Sequence, residues 1–537
     1  MNIEEELKKI VANSLDIDIA FNDIEIEKPK IASYGDYSCN IAMKLCKTLG
    51  KNPKELAEDI KSKISSPLID NIVIATPGFI NFFINKSYMF DVIKRIITLN
   101  EDYGRNNLGN NKKINLEFVS VNPTGSIHLG HTRGACYGDS LCNVLKFCNY
   151  DVTKEYYIND AGNQMNNMAL SIIERYKELK KMPFCLGDNY YYGKEIIDVA
   201  QKMVDENNPS YDKFDVETFK KYGLNEFLSA IKSDLEDIGV FFDVWTSEQK
   251  LRDDGQVLEA LNKLKSLGYT YMKDNALYLK TSEFGDEKDR VIVKSDGSYT
   301  YFTPDIAYHL NKLNRGFDYL IDVLGADHHG YVNRLKASVT MLGGESDKLS
   351  VSLVQMVRCI KDGVEYKISK RTGKTVTLND LINESGKDAI RYFFVSRSID
   401  TQMDYDLDLA NENSNNNPVY YVQYAHARIC SILREHDFSL KNDYVFETIN
   451  SKSAYNVLSK LEDFPKVIEK SAIKHAPHLI TNYVYELSSL FHSYYGSEKI
   501  ITDDEKYTYE RIMLIKAVKI VIANALKLIG VTAKERM

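Results

Sequence analysis

The sequence predicts an α/β multidomain protein: a small α/β module, a central domain on a largely parallel sheet, and an all-α bundle. Three observations carry this. A 537-residue chain has room for three or four domains at about 150 residues each. Strand-like apolar runs alternate with amphipathic helical patterns through the middle of the chain, as parallel sheets require. Beyond residue 400 glycine and proline become sparse while helical spacing persists.

The hydrophobic share is 44% and the charged share 27%, ordinary for a globular chain and inconsistent with a disordered or collagen-like one. No stretch approaches the roughly 18 uncharged apolar residues of a membrane span. The acidic start, MNIEEELKKI, lacks the apolar centre of a secretory leader, so a cytoplasmic location is expected. Net charge is −8, from 68 Lys and Arg against 76 Asp and Glu. That balance neither supports nor excludes RNA, because steering needs only a local basic face. The eight cysteines contain no Cys-x-x-Cys pair and read as reduced structural thiols.

Residues 1–110 form the first predicted module. Helical patterns cover Glu4–Ala12, Asn40–Leu49 and Pro53–Ile64. The apolar run from Ile72 to Ile84 reads as two short strands split at Pro77-Gly78. The polar stretch Gly104–Asn111 is the linker candidate.

Residues 111–400 form the second, with strands expected at Ile114–Val119, Tyr319–Leu324 and Leu353–Val357. An insertion rich in lysine and aspartate occupies about 185–250. In residues 401–537, Ile515, Val518, Ile522, Ala525 and Ile529 recur at helical spacing, and Gly530 is a stop. The asparagine-rich Asn411–Asn417 reads as the loop that enters this bundle.

Two segments carry candidate chemistry. After the first predicted strand of the central domain come Asn122-Pro123-Thr124-Gly125-Ser126 and then His128-Leu129-Gly130-His131 at a helix start. A strand, a Pro/Gly turn and a helix start aim free backbone N–H groups at an anion. Two imidazoles in the first turn can donate to phosphate oxygens, and Gly130 leaves room for a flat base. Taken alone, His-x-x-His reads more simply as core histidines or a metal pair. The second segment, Lys367-Ile368-Ser369-Lys370-Arg371-Thr372-Gly373-Lys374, is a cationic loop able to close on polyphosphate. It is not a Walker A loop, and taken alone it reads as a solvated charge run.

Together, His128–His131 and Lys367–Lys370 resemble the HIGH and KMSKS signatures of class I aminoacyl-tRNA synthetases. The flanking residues narrow the resemblance to arginyl-tRNA synthetases. They are Glu117–Gly125, Tyr156–Gly162, Lys370–Leu378, Asn417–Arg428 and the terminal Ala533–Met537. The resemblance spans nearly the whole chain and implies a Rossmann-like parallel-sheet catalytic domain. It implies activation of L-arginine by ATP, with Mg²⁺ travelling with the nucleotide and no protein-ligated metal. Transfer to the 2′-hydroxyl of the terminal tRNA adenosine would follow.

On this resemblance His128 and His131 stabilise the ATP phosphates, with Thr124 nearby, and Gly130 receives the adenine. Lys367, Ser369 and Lys370 hold the departing pyrophosphate. Many arginyl enzymes lack a lysine matching Lys370; this chain retains it. A guanidinium calls for paired acceptors. The matching candidates are Glu117, Asp305, and Tyr301 one turn before it. Asn122 would hold the ammonium or carboxylate end of the amino acid. His328, in Gly325-Ala326-Asp327-His328-His329-Gly330, is a further candidate, with an Asp-His-His metal site as its competing reading.

The N-terminal module resembles the one that touches the outer corner of tRNA, where Phe79 and Asn81 match readers of a D-loop adenine. The same residues read equally as part of a packed strand. Residues 401–537 resemble the anticodon-binding domain, with Tyr420, Tyr424, His426 and Arg428 near its start, where helix packing is the plain alternative. A monomer with tRNA, arginine and ATP as partners, and no membrane, is the expectation.

Rival readings are a non-catalytic RNA-binding paralogue, a different adenylate-transferring enzyme of the same superfamily, and a class I synthetase for another amino acid. Both intact signatures argue against the first, and chain length against the second. Glu117 with Asp305, and the absence of zinc-ligand cysteines or an evident editing insertion, argue against the third.

Overall fold

The structure is a computed structural model that describes residues 3–29, 31–366, 376–441 and 443–537. Two compact units make up the chain. One holds Met1–Asn100, His436–Glu462 and Ser493–Val518; the other holds Glu101–Glu435, Asp463–His492 and Lys519–Met537.

The first unit begins with α1 (Ile3–Asn13), β1 (Ile26–Glu27), β2 (Tyr37–Cys39), α2 (Ile41–Leu49) and α3 (Pro53–Lys63). It continues with β3 (Ile69–Ala75), β4 (Phe79–Ile84) and α4 (Lys86–Leu99). The helix α3 starts where the sequence chemistry requires. Asn52 accepts from the Lys54 N–H at 2.9 Å, and Pro53 occupies the first turn, where its missing N–H costs nothing. The strands form an antiparallel sheet in the order β1-β2-β4-β3. Leu7, Val11, Leu56, Ile60, Ile80 and Phe82 meet in its core. The two strands expected on either side of Pro77-Gly78 are β3 and β4.

The second unit is built on β5 (Lys113–Glu117), α5 (Leu129–Phe147) and β6 (Asp151–Ile158). The helices α6 (Asn163–Leu179), α7 (Lys194–Glu206) and α8 (Val216–Asp237) intervene before β7 (Val244–Ser247). Then come α9 (Glu248–Asp253), α10 (Gln256–Ser266), β8 (Thr270–Lys273), β9 (Ala276–Leu279), β10 (Arg290–Val293) and α11 (Phe302–Asn314). The series β11 (Tyr319–Gly325), α12 (Val332–Met341), β12 (Leu349–Val354), β13 (Val357–Lys361) and β14 (Val364–Glu365) follows. Next are α13 (Leu378–Val395), β15 (Met403–Asp406), α14 (Leu407–Asn411) and α15 (Pro418–Glu435). The long helices α16 (Lys452–Ile473), α17 (His478–Ser497) and α18 (Glu505–Leu528) are each shared between the two units.

The central sheet runs β12-β11-β5-β6-β7, with every neighbour parallel. Strand order reverses between β5 and β11, the place where open parallel sheets bind ligands at their carboxyl ends. The edge strand β7 escaped the sequence reading, because Val-Trp-Thr-Ser offers four residues and no clean alternation. The strand expected over Ile114–Val119 ends at Glu117. Beyond it Val119 and Ser120 turn to φ of 69° and 41°, so the chain leaves the sheet there. For a β-branched valine that conformation is strained, and such strain concentrates at functional loops.

The strand expected over Leu353–Val357 is two strands. Arg133 donates to the carbonyls of Gln355 at 3.0 Å, Ser398 at 2.7 Å and Thr401 at 2.7 Å. This breaks the run at Gln355-Met356 and hands the chain from β11 to β15.

The helix α5 is buried on every side, not on the single face its apolar residues suggest, so its polar groups need partners. Asp139 takes Arg391 at 2.7 Å and Lys154 at 3.0 Å. Arg391 also donates to the Ile529 carbonyl at 2.9 Å. Gly530 ends α18 as expected, at φ 71°, and any side chain there would overlap the Arg391 guanidinium.

Apart from β15, the regular elements of residues 401–537 are all helices, and residues 412–417 form the loop before α15. All eight cysteines are free. No helix among the described residues is long and apolar enough to cross a membrane.

Candidate active site at the sheet's switch point

The loop after β5 carries the first signature to the amino end of α5. His128 is extended at the N-cap, and Thr132 donates its N–H to the His128 carbonyl at 2.9 Å. One turn separates His128 from His131, so the two rings stack, with centroids 3.5 Å apart and planes 24° apart. Burial pulls His131 down to about 3, with the neighbouring His128 adding to the effect; burial also lowers His128. Both are therefore neutral at pH 7. The buried Nδ1 of His131 meets no partner among the described residues. Neutral imidazoles here act as hydrogen-bond donors and acceptors, not as fixed cations. Gly130 lies against His128, where a Cβ would sit 3.4 Å from the ring.

Thr124 donates its N–H to the Asn122 carbonyl at 2.8 Å, which folds the turn before the signature; Asn122 itself is exposed. Lys367, Ser369 and Lys370 lie outside the described residues. Their C-terminal flank is described. Thr377 forms an isolated antiparallel bridge with His128, and Leu378 donates to the Ile127 carbonyl at 2.8 Å.

The substrate candidates converge on α11 and the strands beside it. Asp305 lies one turn inside α11, half-buried, and accepts from the Tyr331 hydroxyl. Burial raises its carboxyl to about 7, aided by the charges of Glu117 and Glu248, against the pull of Tyr331 and His309. No cation pairs with it among the described residues. Tyr301 stands at the N-cap of α11 with 89% of its surface exposed. His328 follows β11 and is exposed, 3.8 Å from Asp327 and edge-on to Tyr331.

Glu117 is buried and engaged. Its Oε2 accepts from Lys312 at 2.6 Å and its Oε1 from Ser120 at 3.0 Å. Lys312, fully buried on α11, also reaches Asp322 at 2.8 Å, and His309 contacts Asp322 at 2.9 Å. Burial works against the Lys312 charge, but Asp322 and Glu117 outweigh it and raise its pKa. Burial likewise opposes the Asp322 charge, and Lys312 with His309 hold it ionised. On β6, Glu155 is held by Arg315 at 2.6 Å and Thr246 at 2.6 Å.

Sequence reasoning missed Lys312, Asp322, His309 and Tyr331. A signal existed: Asp305, His309 and Lys312 recur at four and three residues, one helical stripe. Polar residues at that spacing normally mark a solvated face, and here the face is buried.

Elsewhere, Phe79 is exposed on β4, whereas the neighbouring Asn81 is buried between Ser38 and Val73. Tyr420 and Tyr424 stack at 6.0 Å, and Arg428 lies over the Tyr424 ring at 4.7 Å while donating to its hydroxyl at 2.7 Å. With Tyr421 and His492 they line a cavity of about 530 Å³. His426 is buried and bonded to the Lys534 carbonyl at 2.8 Å. Among the described residues no group of three or more His, Cys, Asp or Glu is placed to hold a metal ion.

Three family models match the chain. They are the arginyl tRNA synthetase N terminal domain over residues 1–84, the class I (R) tRNA synthetase catalytic domain over 92–430, and the DALR anticodon binding domain over 422–537. An arginine–tRNA ligase of Oceanobacillus iheyensis is 46% identical, covering 96% of this chain and 94% of its own. One from Bacillus subtilis is 45% identical over 100% of both chains. The solved Thermus thermophilus arginyl-tRNA synthetase, 18% identical, shares the fold with a TM-score of 0.78 over 99% of this chain and 100% of its own. By the extent of these matches, the chain belongs to the arginyl-tRNA synthetase family.

Proposed function

We propose that the protein ligates arginine to its tRNA in two steps. The arginine carboxylate attacks the α-phosphate of ATP and expels pyrophosphate. The 2′-hydroxyl of the terminal tRNA adenosine then attacks the activated carbonyl and expels AMP. The observation that carries the reading is Asp305, a half-buried carboxyl beside the sheet's switch point with no cation among the described residues to balance it. Lys312, Arg315 and Arg252 are each taken by carboxylates, and Arg334 lies over the Tyr331 ring at 5.1 Å while donating to the Gly330 carbonyl at 3.2 Å. A substrate guanidinium supplies the missing charge.

The rest of the site does positioning and charge stabilisation, the main catalytic currency of phosphoryl-type transfer. His128 and His131 offer neutral N–H donors to the phosphates, and the free N–H groups at the start of α5 add to them. Gly130 lets the adenine approach, and Thr124 shapes the turn beside it. Lys367, Ser369 and Lys370 close on the pyrophosphate. ATP brings its Mg²⁺, which neutralises phosphate charge. Glu117, Tyr301, Asp305 and His328 surround the arginine side chain, and Asn122 meets its backbone end.

Residues 1–110 act as the module for the outer corner of tRNA, with the exposed Phe79 stacking on a base, whereas Asn81, buried inside the sheet, does not reach one. Residues 401–537 act as the anticodon module, where Tyr420, Tyr424 and Arg428 present stacking surfaces. Residues 111–400, with their insertion at about 185–250, are the catalytic domain. The protein works as a cytoplasmic monomer.

The test is arginine-dependent ATP–pyrophosphate exchange, with and without tRNA bearing an arginine anticodon. Exchange that requires arginine supports the reading. Exchange confined to reactions containing tRNA adds that RNA completes the site. Folded protein that binds tRNA without exchange in either case overturns it.

A further inference from the structure

Neighbouring tyrosines on β6 face opposite ways and meet opposite fates. Tyr156 is satisfied: its hydroxyl donates to the Val121 carbonyl at 3.0 Å and its ring stacks on Trp245. Tyr157 is 4% exposed, packs on Leu251 and on Tyr308 at 4.5 Å, and its hydroxyl meets no hydrogen-bonding partner among the described residues. Buried hydroxyls without partners are rare, because nothing repays the water they lose.

The surroundings of Tyr157 say what is missing. Its backbone N–H donates to Ser120 at 3.1 Å, and Ser120 donates to Glu117 at 3.0 Å, which ties the residue to the wall of the arginine site. Beyond burial, the charges that act on the phenol are those of Asp305, Glu248 and Glu117, opposed by Arg252. Glu248 is already held by Arg252 at 2.6 Å and Glu117 by Lys312 at 2.6 Å. Asp305, which takes a hydrogen bond from the Tyr331 hydroxyl, and the Tyr157 hydroxyl both keep acceptor capacity that no cation among the described residues fills. The Tyr308 hydroxyl is also unpartnered, but the charges on it are those of Glu117, Glu155, Asp322 and Arg315, the buried network rather than Asp305.

We propose that Tyr157 is a specificity-determining residue for arginine, its hydroxyl oxygen accepting one guanidinium N–H while Asp305 accepts others. A lone carboxylate attracts any cation. A second acceptor at a fixed angle rewards the planar fork of a guanidinium over the point charge of an ammonium. This inference rests on the reading of arginine as the substrate.

The test is L-arginine binding by titration calorimetry to full-length wild type, Tyr157→Phe and Asp305→Asn, with ATP affinity and thermal melting measured alongside. Tyr157→Phe should weaken arginine binding about tenfold or more, the scale of one hydrogen bond to a charged group. ATP affinity and melting temperature should match wild type, since the hydroxyl has no partner in the described chain to lose. In aminoacylation the arginine KM should rise while kcat holds. Unchanged arginine affinity in Tyr157→Phe, with binding lost in Asp305→Asn, overturns the role of Tyr157 and leaves the arginine reading intact. A melting temperature lowered by several degrees also overturns it, because the hydroxyl would then serve the fold. Wild type that binds no L-arginine removes the arginine reading and this inference with it.

Discussion

His128 and Thr377 form an isolated antiparallel bridge, which holds the first signature to the residue that caps α13. Leu378 reinforces it through the Ile127 carbonyl at 2.8 Å. Thr377 and Asp380 also make a reciprocal capping box, with the Asp380 N–H donating to Thr377 at 3.2 Å and the Thr377 N–H to Asp380 at 2.9 Å. The flank of the second signature is thereby anchored at the first.

Thr377→Ala should therefore act twice. Loss of the cap should cost about 1 kcal/mol of stability, read from urea denaturation. Because the cap is joined to His128, the KM for ATP should rise several-fold while the KM for arginine stays put. A stability loss with an unchanged ATP KM would show that the bridge does not transmit to the nucleotide.

His131 links stability to pH. Its folded pKa, near 3, lies below the unfolded value, so the unfolded chain takes up the proton first. The stability it contributes is complete above about pH 6.5 and is lost as pH falls towards 3, by up to about 1.4 kcal/mol per unit. Urea midpoints between pH 7 and pH 4.5 should fall less in His131→Asn than in wild type. The same variant should lower pyrophosphate exchange about 100- to 1,000-fold, the scale of losing one transition-state donor.

In the role proposed for it, Asp305 should make arginine binding depend on pH near neutrality. Its carboxyl, raised to about 7, is protonated in much of the free protein below that pH and must ionise to hold a guanidinium. Arginine affinity should rise close to tenfold per unit as pH climbs towards 7, then level off. Calorimetry from pH 5.5 to 8.5 checks this, and Asp305→Asn should bind weakly with a flat profile.

Lys312 tests the buried network. Lys312→Met leaves Glu117 and Asp322 without their shared cation in the interior and should cost about 3–5 kcal/mol. Adding Glu117→Gln should recover part of that loss, since one of the stranded charges is gone. A denaturation midpoint within error of wild type for Lys312→Met alone would mean the two carboxyls are held by other means.

The sequence by itself determined much of this protein. Alternation over Ile114–Leu116, the Pro/Gly turn and the helix opening at His128 are local patterns, and the structure reproduces them as β5, a loop and α5. Helical spacing from Ile515 to Ile529 likewise becomes α18 and its stop at Gly530. The family was legible because its signatures are short runs of adjacent residues.

Only the tertiary structure decided which carboxylates are compensated. Glu117 and Asp305 look alike in the sequence, yet Lys312, 195 residues from Glu117, takes one, while Asp305 has no cation among the described residues. The same holds for Arg133, which donates to the Gln355 carbonyl where β12 gives way to β13. Periodicity reports the neighbours of a residue along the chain. The ionisation of a buried group depends on the charges and water around it in space, which chain order does not encode.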